Sequence, residues 1–302
     1  MANERQRLIA NALMLLTAAI WGFAFVGQRA GMDHLGPFSF NGLRFLLGAA
    51  CLLPVLWYYR HTPTTRHPDT STRLLWWGGL AAGLCLFAGA TFQQVGLQYT
   101  TAGKAGFITG LYIVLVPLIG LWIGQRISPE NWLGVLLAVV GLYLLTIQDD
   151  LSMSKGDALQ LLGALFWAGH VLIIGWLSPQ LSAIRLSVIQ FTVTGLLSLA
   201  IGLPLEPFTL ADVQAAALPL LYLGVMSTGV AYTLQVVAQQ WATPSHAAII
   251  LSLEAVFAVL GGWLLLDESL PSRGVLGCTL MLCGMIVAQI RLFPNRSQEL
   301  RS

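Results

Sequence analysis

Ten stretches of about twenty mostly apolar residues, separated by short polar breaks, account for most of this chain of 302 residues. They fall near residues 8–27, 39–59, 73–97, 102–124, 130–148, 156–177, 183–203, 215–239, 244–266 and 272–291. Proline marks the breaks, at Gly36-Pro37, Thr62-Pro63, Ser128-Pro129, Ser178-Pro179, Leu203-Pro204, Thr243-Pro244 and Leu270-Pro271. At about 1.5 Å per residue, twenty residues reach across a hydrocarbon core of about 30 Å. In lipid every backbone N–H and C=O needs a partner within the protein, which leaves helices or closed barrels, and a barrel would show ten-residue segments of alternating polarity. The pattern therefore predicts an all-α integral membrane protein with ten transmembrane helices.

The second five stretches repeat the first five. Shifting Gln98 to Ser128-Pro129 by 142 residues lays it on Gln240 to Leu270-Pro271, so that Tyr99 meets Trp241, Thr101 meets Thr243, Lys104 meets His246 and Gly120 meets Gly262. A shift of 146 lays Trp21 on Trp167 and Arg44-Phe45 on Gln190-Phe191. Five crossings is an odd number, so the second copy enters from the opposite side, the arrangement of two inverted five-helix repeats found in many secondary transporters. The expected units are 1–148 and 156–291, joined by a polar linker at 149–155 and followed by a tail at 292–302.

Composition narrows the possibilities further. Residues are 56% hydrophobic and 9% charged, with mean hydropathy +0.75, whereas soluble domains carry about a quarter charged residues. Ten crossings leave no room for a domain outside the bilayer. With the N-terminus inside, Arg5, Arg7, Arg60, Arg66, Arg73, Arg126, Arg185, Arg291, Arg296 and Arg301 lie on the cytoplasmic face, against Arg29, Lys104, Lys155 and Arg273 opposite. That bias predicts both termini in the cytoplasm. The net charge of +2 is thus a topology signal, and no basic cluster points to nucleic acid. Arg5 and Arg7 before an apolar run resemble a signal sequence in outline, but nine later spans favour an uncleaved first helix. Cys51, Cys85, Cys278 and Cys283 sit in apolar spans without CxxC spacing and read as small buried hydrophobes.

Polar residues inside the spans are the candidates for chemistry. Glu254 lies near the middle of its span, where a carboxylate is costly and faces the bundle interior. Ala247, Leu251, Glu254, Ala258 and Gly261 share one small-residue face. A role in substrate or proton binding stands beside structural ones, as a partner for Arg44 or a neutral acid bonded between helices. Arg44, about 8 Å inside the end of span two, either holds a substrate carboxylate in a bidentate pair or snorkels to the interface. His170 either shuttles protons or bonds a helix carbonyl. His246 and Lys104, matched in the repeat at span starts, mark an interface. Gln94 and Gln98, one turn apart, and Tyr232, Gln235 and Gln239 either bond across helices or line a wet cavity. Trp21 and Trp167 lie mid-span, away from the interfaces where tryptophan collects, which fits cavity walls as well as packing. GxxxG pairs at Gly79/Gly83, Gly106/Gly110 and Gly120/Gly124, the last two on one stripe with Pro117, predict that span four is buried in the bundle, with a kink at the proline.

There is no GxxxxGK[ST] for ATP, no HExxH zinc site and no GxSxG nucleophile elbow, and no cofactor is expected. The chain resembles the drug/metabolite transporter superfamily, specifically its EamA-type members. The resemblance is carried by Ala19-Ile20-Trp21-Gly22-Phe23-Ala24-Phe25-Val26, by Gly42-Leu43-Arg44-Phe45-Leu46, and by Ser252-Leu253-Glu254-Ala255-Val256-Phe257-Ala258 running to Leu264-Leu265-Leu266-Asp267-Glu268. The first repeat departs from it, with Gln125-Arg126 where the second has Asp267-Glu268. The resemblance implies a ten-helix bundle with a central cavity open alternately to each side, in a bacterial inner membrane, exporting metabolites or drugs. The expected activity is thus secondary export of a small amphipathic metabolite such as an amino acid or aromatic compound, with protons as a candidate coupling ion, by a monomer or homodimer. A membrane-embedded enzyme acting on a lipid-soluble substrate and a non-transporting scaffold are the alternatives.

Overall fold

The computed structural model describes residues 3–59, 71–100, 102–125, 127–146, 154–266 and 272–289. Among these every regular element is a helix: α1 Glu4–Gly31, α2 Pro37–Tyr59, α3 Thr72–Gly96, α4 Ala102–Gly110, α5 Tyr112–Trp122, α6 Pro129–Thr146, α7 Lys155–Leu177, α8 Ala183–Leu205, α9 Leu210–Ala215, α10 Ala217–Leu221, a π-helix Tyr222–Tyr232, α11 Thr233–Ala238, α12 Pro244–Leu251, α13 Glu254–Leu266 and α14 Ser272–Gln289. Seven segments are long and apolar enough to cross a membrane. Three shorter apolar helices, Ile108–Trp122, Pro129–Leu144 and Ser272–Ala288, fall on three further sequence spans. Most of the linker at 149–155, the tail, Arg60, Arg66, Arg126, the Asp267-Glu268 pair and the arginines from Arg291 on lie outside the described residues, as does the side chain of Lys104.

Local chemistry sets the helix starts. Asn3 and Gln6 cap α1 reciprocally, each side chain accepting the other's backbone N–H at 2.8 and 2.9 Å. Ser154 and Asp157 do the same for α7. Both satisfy donors that the first turn leaves open. The short surface helix α9 repeats the device with Thr209 and Asp212, whose carboxyl is held below its ordinary range by the Thr209 backbone N–H and hydroxyl.

The helices pack with α2 on α8, α3 on α7 and α8, α1 on α13 and the π-helix, α7 on α4 and α5, α5 on α12, and α6 on α14. Where α3 crosses α8, glycine is required: a Cβ on Gly79 would stand 2.5 Å from Ile189 and one on Gly83 2.7 Å from Val193. The Gly106 position, by contrast, meets nothing within 4 Å, and the nearest neighbour of Gly120 is Gln125 of its own chain. In span four the close approach falls at Gly110, where a Cβ would stand 3.1 Å from Leu142 of α6, and Gly106, Gly110, Pro117 and Gly120 are buried, in keeping with the expected burial of this span. Exposed Trp57, Tyr58, Trp76, Trp77, Trp122 and Trp176 sit at helix ends, where amphipathic rings settle at a membrane interface. The cysteines are unpaired, three half-buried and Cys283 exposed.

Three spans read as continuous helices are interrupted. Span four breaks at Leu111, where Leu111 N–H bonds Ile108 and Val114 N–H bonds Leu111 in tight three-residue turns. Pro117, the expected site of a kink, lies inside α5, six residues after this break. Span nine breaks at Ser252-Leu253, where Ser252 Oγ bonds the Ile249 carbonyl at 2.9 Å and Ala255 N–H bonds Ser252. Such back-bonding competes with the helical ladder. Span eight winds as a π-helix over eleven residues, a form that ordinarily lasts a single turn and collects at functional sites.

Candidate functional site

The interrupted helices meet at a central cavity. Its walls come from α1 (Trp21, Ala24, Phe25, Gln28), α2 (Arg44), α3 (Gln93), the α4–α5 pair (Thr109, Tyr112), α7 (Trp167, Val171), the π-helix (Ser227, Tyr232), α11 (Gln235) and the α12–α13 pair (Leu251, Glu254). The cavity volume is about 30 Å³. By the same measure one water needs about 10–15 Å³, so this conformation is narrow and a metabolite enters only if side chains or helices move.

Tyr232 is the hub of an aromatic cluster. Its ring lies 4.5 Å from that of Trp21, stacks on Trp167 at 6.0 Å, and meets Phe45 and Phe191 at 6.1 and 6.0 Å. The π-helix helps fix this arrangement: Trp21 Nε1 donates to the Ser227 carbonyl at 3.2 Å and Thr17 Oγ1 to the Ala231 carbonyl at 3.2 Å. Glycine brings α1 against α13 here. A Cβ on Gly22 would stand 2.3 Å from Phe257 Cβ and 2.6 Å from the Glu254 carbonyl oxygen.

Two opposite charges face this cavity. Arg44 is only 2% exposed, so its side chain turns inward rather than toward the interface. Its Nε donates to Asn41 Oδ1 at 2.9 Å, its guanidinium carbon lies 4.7 Å from the centre of the Phe45 ring, and one terminal nitrogen has no partner. Glu254, 5% exposed, opens α13 beside the break. The Tyr112 hydroxyl is directed at its carboxyl without a well-formed hydrogen bond, and the Tyr232 hydroxyl lies within electrostatic reach of both Arg44 and Glu254. The two charges make no ion pair with each other. Burying an unpaired ionisable group is costly, which makes Arg44 and Glu254 the leading candidates for function in this cavity.

Of the residues singled out in the sequence, Trp21, Arg44, Trp167, Tyr232, Gln235 and Glu254 line the cavity. Gln94 lies behind its wall, its amide on the Gln28 carbonyl at 3.3 Å. Gln239 lies behind it too, accepting from Gln235 at 3.1 Å and donating to the Val171 carbonyl at 2.9 Å. His170 is buried edge-on to Trp167 and Tyr232, and its Nε2 bonds Gln190 Oε1 at 2.8 Å rather than a helix carbonyl. Gln98 is exposed beyond the end of α3. His246 bonds Asn11 Oδ1 at 2.8 Å near the start of α12. The sequence reading missed Gln28, Gln93, Thr109, Tyr112 and Ser227. Two of these were within its reach, because the shift of 142 places Tyr112 on Glu254 and Gln93 on Gln235. Among the described residues no three His, Cys, Asp or Glu side chains converge as a metal site.

Comparison with known proteins places this architecture. Residues 8–147 and again 154–289 match the EamA-like transporter family. An uncharacterized transporter of Archaeoglobus fulgidus is 33% identical, over 96% of this chain and 89% of its own length. A WAT1-related chloroplastic protein of Arabidopsis thaliana is 25% identical over 91% of this chain and 67% of its own. Mouse solute carrier family 35 member F6 is 26% identical over 58% of this chain and 50% of its own. A solved crystal structure superposes with a TM-score of 0.77 over 100% of both chains at 17% identity, which bears on the fold alone. On the double family match and the archaeal relative, this multi-pass membrane protein belongs to the EamA-like transporter family.

Proposed function

We propose that this protein is a secondary active transporter that exports small amphipathic metabolites, amino acids or aromatic compounds, by alternating access through the Arg44–Glu254 cavity. The observation that carries the reading is the pair of buried, mutually unpaired opposite charges on one aromatic-walled cavity. A guanidinium with a free terminal nitrogen suits a carboxylate, a carboxylate suits an ammonium, and the faces of Trp21, Trp167 and Tyr232 suit an apolar or cationic remainder. Glu254, taking up a proton on one side and releasing it on the other, would couple export to a proton gradient.

Alternation needs two related halves, here 1–148 and 156–291, inverted in ten crossings. Three features support that. Five crossings per half is odd. The breaks at Leu111 and Leu253 stand at positions matched by the shift of 142. The packing also maps onto itself when the halves are exchanged: α1 on α13 corresponds to α7 on α5, α1 on α12 to α7 on α4, α1 on the π-helix to α7 on α3 and α5 on α12 to α13 on α4, while α2–α8 and α6–α14 map onto themselves. The arginine bias favours cytoplasmic termini, and the short loops and family membership favour a cell inner membrane.

The test is release of a mixed metabolite pool, read by mass spectrometry, from proteoliposomes with and without a pH gradient, for wild type and Glu254→Gln. Gradient-dependent loss of one compound class in wild type alone supports the reading and names the cargo. No release beyond empty liposomes from folded protein, or appearance of a new chemical species, counts against it.

A further inference from the structure

The two ends of the cavity are closed by different chemistry. In the shift of 146, Asn11-Ala12-Leu13-Met14-Leu15-Leu16 lies on Asp157-Ala158-Leu159-Gln160-Leu161-Leu162. In the shift of 142, Gln93, Thr100 and Thr109 lie on Gln235, Ala242 and Leu251. These residues sit where α3 ends and α4 and α7 begin, or at the matched place where α11 ends and α12 meets the first half of α1.

At the α7 end, polar side chains run without interruption from the cavity outward. Gln93 Nε2 donates to Thr109 Oγ1 at 3.4 Å, Thr109 Oγ1 to Gln160 Oε1 at 3.3 Å, and Gln160 Nε2 to the Gln93 carbonyl at 2.8 Å. Gln93 and Thr109 line the cavity, while Gln160 is fully buried. One turn nearer the surface, the Asp157 carboxylate accepts from the Thr100 hydroxyl and the Ser154 backbone N–H. At the matched end, Met14 and Leu251 are fully buried among Ala10, Ala247 and Ala248. There Gln235 turns its amide to Gln239, and Asn11 bonds His246 at 2.8 Å on the far side of the apolar layer.

Neutral side-chain hydrogen bonds within a membrane protein are weak and exchange readily for water, whereas an apolar constriction excludes water and opens only by exposing apolar surface. We propose that Gln93, Thr109 and Gln160, with Asp157 above them, form a wettable gate admitting water and solute to the cavity from the α7 N-terminal face, and that Met14 and Leu251 form a dry gate on the opposite face. This gate assignment rests on the transporter reading for its purpose, but its test requires no transport.

The four native cysteines are replaced by alanine, and single cysteines are placed at Ser227 in the cavity wall, at exposed Lys155 as marker of the α7 N-terminal face, and at exposed Ser71, at the other end of α3, as marker of the opposite face. Labelling by a membrane-impermeant cationic methanethiosulfonate is followed in vesicles of each orientation, sorted by the two markers. The Ser227→Cys thiol is expected to react faster from the Lys155 face. Exchanging Gln160→Met and Thr109→Leu, the residues used at the matched places, should slow that reaction about tenfold or more, because opening then wets two apolar side chains. Met14→Gln with Leu251→Thr should speed labelling from the Ser71 face by a similar factor. Faster labelling of wild type from the Ser71 face, equal labelling from both faces, or rates unmoved by either exchange while the markers react normally would overturn the assignment. If one double variant does not fold, the other alone decides. A protein that labels as expected yet releases no metabolite would sink the transporter reading and leave the gates standing.

Discussion

The two halves of this chain supply the cavity with matching positions and unlike charges. Trp21 and Trp167, and Gln93 and Gln235, are identical partners in the sequence match. Arg44, however, is matched by Gln190, Glu254 by Tyr112, and the hub Tyr232 by Ala90. Had both halves kept arginine or both kept glutamate, two like charges would crowd one poorly solvated space, where neither is easily kept ionised. Each half instead contributes one charge and one neutral hydrogen-bonding counterpart. The lesson is that matched backbones can bring opposite walls of a site together while the side chains specialise.

Several variants test that division, and the largest effect should come from the backbone contact beneath it. Gly22→Val drives a branched side chain into the α13 backbone and should lower stability by about 3 kcal/mol or more, visible as lost yield and a lower melting temperature in detergent. Its counterpart in the second half is Ala168, so the constraint belongs to one half. Glu254→Gln keeps shape and removes charge. It should cut gradient-driven release about 100-fold with the melting temperature nearly unchanged, and joining Tyr112→Glu to Glu254→Tyr should recover part of what Glu254→Tyr alone loses. Arg44→Gln imports the residue of the other half and should weaken binding of carboxylate substrates about 10- to 100-fold, in line with a lost charge-assisted pair. Arg44→Lys should lie between, because it forfeits the Nε bond to Asn41. The smallest effect belongs to Trp21→Phe, which keeps a ring beside Tyr232 and loses the bond to the Ser227 carbonyl. It should change release about two- to fivefold. Equal losses for Trp21→Phe and Glu254→Gln would mean that the charges hold no special place.

The all-helical membrane fold, with seven helices long and apolar enough to cross, was legible because apolar runs of bilayer length are the strongest signal a sequence carries. The faces were not. In a water-soluble helix the polar stripe fixes rotation, but a helix packed in lipid is apolar on every side. Gln93 and Gln94 therefore looked alike, and one residue, about 100° of rotation, separates the cavity wall from its back. Glu254 and Arg44 stood out because charge is rare in a span. Tyr112 did not, being an ordinary residue until its match to Glu254 is followed through. The breaks at Leu111 and Ser252-Leu253 cost only a tightened turn each, and the π-helix between Tyr222 and Tyr232 has no composition of its own.

If the cavity alternates as proposed, Arg44 and Glu254 would also set how membrane voltage acts on this protein. An elementary charge carried across 100 mV involves about 2.3 kcal/mol. With both groups ionised, the cavity carries no net charge, and a zwitterion inside it adds none, so reorientation of the loaded site moves no current. Once Glu254 takes a proton, the same movement carries the lone charge of Arg44. The transient charge movement recorded on a voltage step, rather than the steady current, would then report the protonation of that one carboxyl group.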